Sequence, residues 1–386
     1  MTRDQLPNEK GNRIADRPRS SYIPTLDGWR AVAIIAVLFC HGLDQRAYPF
    51  ALQLGLAGVL LFFSISGFLI TSRLLEENAL TGKVSFRKFY LRRAFRILPP
   101  ALFFLAVITL LGISGEIPFA PFDILKALFF VRNYAVLDLS NAGSWYSVHF
   151  WSLAVEEHFY LLWPAILVLV GMKRARWVTR WIAPGLAVTA ILWRSLDEKH
   201  QFVIRWFHAP FLTQNLGRTD YMADVLLWGC ALAVWLNLRP WKSPLPRGTT
   251  SLVSLAIVAF IGFDLVVGGL SHGRDLVYLL MAVLIGCTVT DPGSILGRFL
   301  ELAPLRFIGR LSYSLYLWQQ LFFHGDRAPL AFQRLPLNVV FIFACACFSY
   351  YLVERPMIRL GQRIASRTKA RPAERAGLAA PQAFEA

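Results

Sequence analysis

Residues 51–71, ALQLGLAGVLLFFSISGFLIT, contain no charged side chain and few polar ones. The hydrocarbon core of a bilayer is about 30 Å thick and takes roughly 20 helical residues to cross, so this stretch reads as a membrane span. Backbone polar groups in lipid must bond within a helix or a closed barrel, and the stretch lacks the alternating polarity of a barrel strand. Similar apolar blocks on either side predict spans at 27–44, 96–114, 147–170, 177–194, 220–237, 251–268, 276–290, 307–323 and 335–354. The composition agrees, with 56% hydrophobic and 17% charged residues, against about 25% charged in an ordinary soluble domain. The expected fold is all-α, a polytopic membrane helix bundle of about ten transmembrane helices with both termini cytoplasmic.

The orientation follows from charge. The net charge of +16 suggests nucleic acid until the positions of the basic residues are read. Of the 40 Lys and Arg residues, 29 fall before Tyr22, in every second loop and after Glu354, ten fall in the opposite loops, and Arg30 lies within the first span. That asymmetry is a positive-inside signal. It accounts for the basic pI through topology and anionic lipid and argues against a nucleic-acid groove. The five cysteines all sit in apolar spans without metal-type partners and read as packing residues. The first span lacks a small-residue cleavage site and contains Arg30 and His41, so it is not expected to be a removable signal. Residues 1–20 and 366–386 are polar and rich in Arg, Pro and Ala, and are expected to be loosely ordered. No internal repeat stands out, and the longest hydrophilic loops are too short for a soluble domain, so chemistry must come from the bundle.

A charge in the bilayer core costs at least about 2.5–3.5 kcal/mol, so ionisable residues within spans need a reason. Asp27 and Arg30 stand one turn apart near the start of the first span, and His41 follows Arg30 by eleven residues. Eleven residues are about three turns and about 16 Å of rise, which puts Arg30 and His41 on one face. A neutral imidazole can take a proton from a hydroxyl; the plainer alternative is a helix-end Asp–Arg pair and an interior histidine satisfied by a neighbour. In FRKFYLRRAFRILPP, residues 86–100, Arg93 and Arg96 lie three apart with Arg92 beside them. Guanidinium forks match phosphate oxygens, although basic residues also anchor span ends. WSLAVEEHFYLLWP, residues 151–164, places Glu156 and Glu157 within a span. Adjacent carboxylates there require a cavity or an arginine partner. Lesser signals are Arg218 and Asp220 at the end of the sixth span, and Ser312, Tyr313, Tyr316, Trp318 and Gln319 in GRLSYSLYLWQQ, residues 309–320. Aromatics at helical spacing are most simply packing or interface belts. Pro356 most simply ends the last span, with Glu354 paired to a basic residue.

Five of these blocks, in order, resemble acyltransferase family 3, the membrane O-acyltransferases that acetylate O-antigen, peptidoglycan and exopolysaccharides. They are LDGWRAVAIIAVLFCHG (26–42) with its Arg-x10-His, LLFFSISGFLIT (60–71), FYLRRAFRILPP (89–100) with its Arg-x-x-Arg, WSLAVEEHFYL (151–161) and GRLSYSLYLWQQ (309–320). The resemblance implies an acyltransferase transmembrane domain at 23–357, flanked by a cytoplasmic segment at 1–22 and a basic cytoplasmic tail at 358–386.

It further implies a multi-pass protein of the bacterial inner membrane, taking an acyl group from cytoplasmic acetyl-CoA or another acyl-CoA. The acceptor would be a hydroxyl of an extracytoplasmic glycan, glycolipid or small molecule, with membrane lipids as surroundings and neither metal nor nucleic acid involved. Arg92, Arg93 and Arg96 would hold the phosphates, and His41 would act as general base or transient acyl carrier. Arg30 would orient substrate or stabilise charge on the thioester oxygen, and Glu156 would fix the His41 tautomer or bind acceptor. Asp27, Glu157, Arg218, Asp220, Ser312, Tyr313, Trp318 and Gln319 are the candidate substrate contacts. The family often has a histidine where this chain has Gln319, so that histidine's role does not carry over. Some members add an extracytoplasmic hydrolase-like domain, whereas here roughly thirty residues follow Glu354, which leaves the bundle to act alone or with a partner. The rival readings are a transporter or flippase of a glycan precursor or small molecule, which would use the same buried charges, and a membrane scaffold, which would leave them unexplained.

Overall fold

The block at 51–71 forms the middle of a 32-residue helix, α2 (Phe50–Thr81), that runs on well past the apolar stretch. It follows α1 (Pro24–Gly42) and precedes α3 (Phe86–Ile113), the short α4 (Pro121–Leu128), α5 (Phe150–Ile166), α6 (Arg176–His200), α7 (Phe202–Phe207), α8 (Thr219–Asn237) and α9 (Arg247–Val267). The remaining helices are α10 (Arg274–Thr290), α11 (Ile295–Leu300), α12 (Ala303–Phe322), α13 (Leu337–Ser349) and α14 (Arg355–Arg367). This computed structural model describes residues 22–43, 48, 50–134, 142–172, 176–207, 217–237, 246–267, 274–323 and 331–367, and among them there is no β-strand. Of the segments expected to be loosely ordered, 1–20 and 366–386, Ser366 and Arg367 close the last helix and the rest lie outside the described residues.

Each of the ten predicted spans coincides with a helix. Seven helices are long and apolar enough to cross a bilayer by length and composition, which marks a multi-pass membrane protein. The other three expected spans are α6, α10 and α12. Of these, α10 has only 17 residues, α6 carries several charges near its end, and α12 is diluted by its hydroxyl and amide side chains. The last span does not stop at Pro356. The helix passes from α13 through a π turn at Tyr350–Glu354 into α14. A π turn is a wider coil that lets a helix absorb a local irregularity, here just ahead of a residue without an N–H.

At the centre, α1 lies between α2 and α12, and α8 packs along α2. Small residues let these backbones close up. A Cβ at Gly67 would strike the Leu226 carbonyl oxygen, and one at Gly229 would strike that of Ser64, so α2 and α8 each supply the glycine the other needs. Gly309 of α12 lies on the Asp27 carbonyl, while Gly42 lies near the Phe323 ring. The two helices therefore run side by side in the same direction. Buried indoles tie the layers: Trp29 Nε1 donates to Thr288 Oγ1 and Trp163 Nε1 to Thr71 Oγ1, each at 2.8 Å.

Candidate active site

The helices enclose a cavity of about 1230 Å³, walled by α1, α2, α3, α5, α12 and α14. It is larger than a common small-molecule pocket of roughly 300–1,000 Å³. Lys83, Lys88, Arg92, Arg93 and Arg96 line its mouth, beside the loop from α2 to α3, and Ser152 and Tyr316 lie at its inner end. The basic mouth follows from helix geometry. Ser85 caps α3 by accepting from the Lys88 N–H at 3.4 Å, and residues three and four apart on the helix then share a face.

Most of the predicted site residues meet in this cavity: Asp27, Arg30, Arg92, Arg93, Arg96, Glu156, Ser312 and Tyr313. Asp27 does not pair with Arg30. It accepts from the Tyr22 hydroxyl at 2.5 Å, and Arg30 makes no hydrogen bond or ion pair among the described residues. Arg30 lies instead in the fields of Arg96, Asp27, Glu354 and Glu156. Arg93 lies over the Tyr160 ring at 4.4 Å, and Arg92 reaches Glu77 at 3.7 Å. Glu156 Oε1 accepts from Ser66 Oγ at 2.7 Å, and Ser66 in turn accepts from the Tyr160 hydroxyl at 3.0 Å. Glu354 accepts from Ser314 Oγ at 2.9 Å and faces the cavity between Arg30 and Arg96, rather than pairing with a surface cation. Tyr313 donates to the Ile97 carbonyl at 2.9 Å, which ties α12 to α3 just before its two prolines, Pro99 and Pro100.

His41 lies beyond the inner end of the cavity. Its Nδ1 is 3.1 Å from the Val37 carbonyl. A carbonyl only accepts, so Nδ1 carries the proton and the neutral ring keeps its lone pair on Nε2. The main chain fixes this tautomer, and Glu156 does not, since its partners lie lower in the bundle. The Gln319 side chain adjoins the ring, and Trp145 meets it edge-on at 5.8 Å. The Tyr316 hydroxyl, bonded to Ser152 Oγ at 2.6 Å and donating to the His149 carbonyl at 2.9 Å, lies between the cavity and this outer group.

Four candidates fall elsewhere. Arg218 is buried and saturated, with Nη1 on Asp197 at 2.7 Å and two bonds to Asp220 at 3.1 and 2.5 Å, so Arg218 and Asp220 brace the junction of α6 and α8 rather than line the cavity. A second network, Arg194 with Asp224 at 2.9 Å and with Asp275, joins α6, α8 and α10 in the same way. Trp318 packs on Phe103 and Phe104 at 5.7 and 5.5 Å in an apolar recess. Glu157 lies beside Arg93, behind the cavity wall. Sequence reasoning passed over Ser66, Ser152 and Tyr160 as site residues, because a single hydroxyl in an apolar helix looks like any other packing residue. Tyr316 was visible only as one of several polar tips.

Outside the membrane-spanning helices, Asp123 of α4 holds the turns that carry Trp145 and His149. It accepts from Arg132 at 3.2 Å, Lys126 at 3.0 Å and the Ser144 hydroxyl. Burial pushes this carboxyl up, but the bonds from Ser144 and Lys126 and the charge of Arg132 outweigh it and hold it below the usual carboxylate range. A depressed folded-state pKa stabilises above the unfolded value and is lost as the pH falls through the folded one. Melting curves of detergent-solubilised protein should therefore show an acid-labile increment beneath the usual carboxylate range that Asp123→Asn lacks. An identical acid profile in the variant would remove the clamp from the account.

These features define a polytopic membrane protein built around a basic-mouthed intramembrane cavity with a histidine beyond its inner end. Residues 23–354 match the family model of an acyltransferase domain, and the chain belongs to acyltransferase family 3. It is 29% identical over 370 residues to the peptidoglycan O-acetyltransferase OatA of Listeria monocytogenes, covering 88% of this chain and 56% of that protein. It is 30% identical over 364 residues to the O-acetyltransferase OatA of Staphylococcus aureus, covering 88% and 58%. The chain thus spans little more than half the length of the curated relatives it matches. No solved structure matches it.

Proposed function

We propose that this protein is an inner-membrane O-acyltransferase that moves an acetyl group from cytoplasmic acetyl-CoA to a hydroxyl of an extracytoplasmic glycan. The observation that carries this reading is the cavity itself, basic at its mouth and leading inward toward His41. Arg92, Arg93 and Arg96 bind the phosphates of the donor, since guanidinium forks pair with phosphate oxygens. The pantetheine arm then runs along α1 and passes Tyr316 to bring the thioester near His41. His41 Nε2 takes the proton of the acceptor hydroxyl as its oxygen attacks the thioester carbonyl. The C–S bond breaks, the new ester carries the acyl group, and the proton passes to the departing thiolate.

Of the two roles expected of Arg30, orienting substrate is the one we propose. It stands about 16 Å below His41 along the helix, farther than an arginine side chain reaches, so it serves the donor's arm or phosphates and not the thioester oxygen. Glu156, Ser312 and Tyr313 line the path of that arm, and Asp27 borders its entrance. That two relatives are named O-acetyltransferases, one of them for peptidoglycan, favours acetyl as the group and a glycan as the acceptor.

Surface-glycan mass spectrometry on a deletion strain with and without the wild-type chain tests the reading. An acetyl increment restored by the chain, together with slow acetyl-CoA hydrolysis by purified protein, is the expected result. An unchanged glycan and no hydrolysis would favour a transporter, which has no use for the thioester.

A further inference from the structure

Past the inner end of the cavity lies a group of buried polar atoms without partners. The His149 side chain belongs to a residue only 3% exposed, and neither ring nitrogen makes a hydrogen bond. Gln319 and Gln320 are fully buried. Gln319 Nε2 donates to Gln320 Oε1 at 3.1 Å, which leaves Gln319 Oε1 and Gln320 Nε2 unsatisfied. A buried polar atom left without a partner is costly, and folded interiors satisfy nearly all of them.

These atoms gather around one place. Gln319 adjoins the His41 ring. Tyr316 stands one turn before the two glutamines on α12, and its ring lies 5.4 Å from that of His149. Trp145, edge-on to His41, donates to the Gln320 carbonyl at 3.1 Å. The ionisable groups that His149 faces are His41 and Arg132, and Arg132 is held by Asp123. Among the described residues Arg132 is thus the one cation His149 faces, neutralised by Asp123 though its Nε and Nη1 make no hydrogen bond, and the rest of the region is built of neutral donors and acceptors, unlike the mouth of the cavity.

We propose that His149, Gln319 and Gln320 form the acceptor subsite, which holds a polyhydroxylated sugar with its reacting hydroxyl turned toward His41. This rests on the acyltransferase reading and deepens it. A neutral imidazole offers one donor and one acceptor, Gln319 Oε1 accepts and Gln320 Nε2 donates, and each sugar hydroxyl can do both. Phe104, against the His149 ring at 5.4 Å, and Tyr316 supply apolar faces for the C–H surface of a sugar ring.

The test uses two readouts on the full chain: acyl groups on the surface glycan of a complemented deletion strain, and acetyl-CoA hydrolysis by purified protein without acceptor. His149→Phe keeps the aromatic packing and removes both ring nitrogens. Glycan acylation should fall at least about tenfold while hydrolysis stays within about twofold of wild type. Unchanged glycan acylation would overturn the subsite. So would a parallel loss of both activities in a variant that melts like wild type, because His149 would then serve the whole reaction. If His149→Phe does not fold, Gln320→Leu carries the same readouts and the same outcomes decide. A wild type that neither hydrolyses acetyl-CoA nor acylates the glycan would bring down the acyltransferase reading, and the subsite with it.

Discussion

Replacing His41 with alanine should lower acyl transfer by about 10²–10⁴-fold, the range that a positioned acid–base group contributes, while the protein still inserts and folds. The ring is half-buried, bonds to the carbonyl of its own helix and otherwise adjoins the Gln319 side chain, so its loss opens little space and disturbs few partners. The effect should fall on turnover and not on donor binding, because the cations proposed to hold phosphate lie at the far end of the cavity. Binding of labelled coenzyme A by purified His41→Ala, measured beside glycan acylation in cells, separates the two. Transfer that survives in a well-expressed variant would exclude His41 as the base.

The second large effect is expected at the mouth. Arg93→Ala and Arg96→Ala should each weaken acetyl-CoA binding by about 10–100-fold, since a hydrogen bond to a charged group contributes about 1.5–3 kcal/mol. The two differ in their surroundings. Arg93 stacks on Tyr160, so Arg93→Lys should recover only part of the binding, because an ammonium lacks the planar fork and its stacking. Arg96 has no ion pair among the described residues and lies in the fields of Arg30 and Glu354. Its removal relieves the repulsion with Arg30 while giving up the attraction to Glu354, and should leave the melting temperature near wild type. Titration calorimetry with coenzyme A and a melting curve decide this. A variant that loses donor affinity only as it loses stability would show that these arginines brace the helix instead.

Much of the architecture was legible because long apolar runs leave the backbone few options in lipid. The ends of helices were not. α2 runs on to Thr81 and α14 to Arg367, since polar residues past a span say nothing about whether the helix continues into water. The cavity was legible through charge, as Arg30, Glu156 and the arginines of α3 could be tolerated at depth only around a shared space. The same logic misplaced Arg218 and Asp220. A buried charge can also be satisfied by another segment, and Asp197, 21 residues away, has no sequence signal linking it to Arg218. His149, proposed for the acceptor subsite, drew no notice in the sequence because a lone histidine just before a helix carries no motif of its own. Only its two unsatisfied nitrogens in the folded chain distinguish it.

The pair of uncommitted guanidiniums, Arg30 and Arg96, has a consequence for turnover. Two cations facing one cavity favour an anionic occupant, and spent coenzyme A carries the same phosphates as the acylated donor. Charge alone cannot tell product from substrate at that end. Discrimination is left to the small acyl group near His41. On this reading the spent carrier competes with the acylated donor for the cavity, and the pace of the cycle in a cell follows the ratio of acylated to free coenzyme more closely than the amount of either.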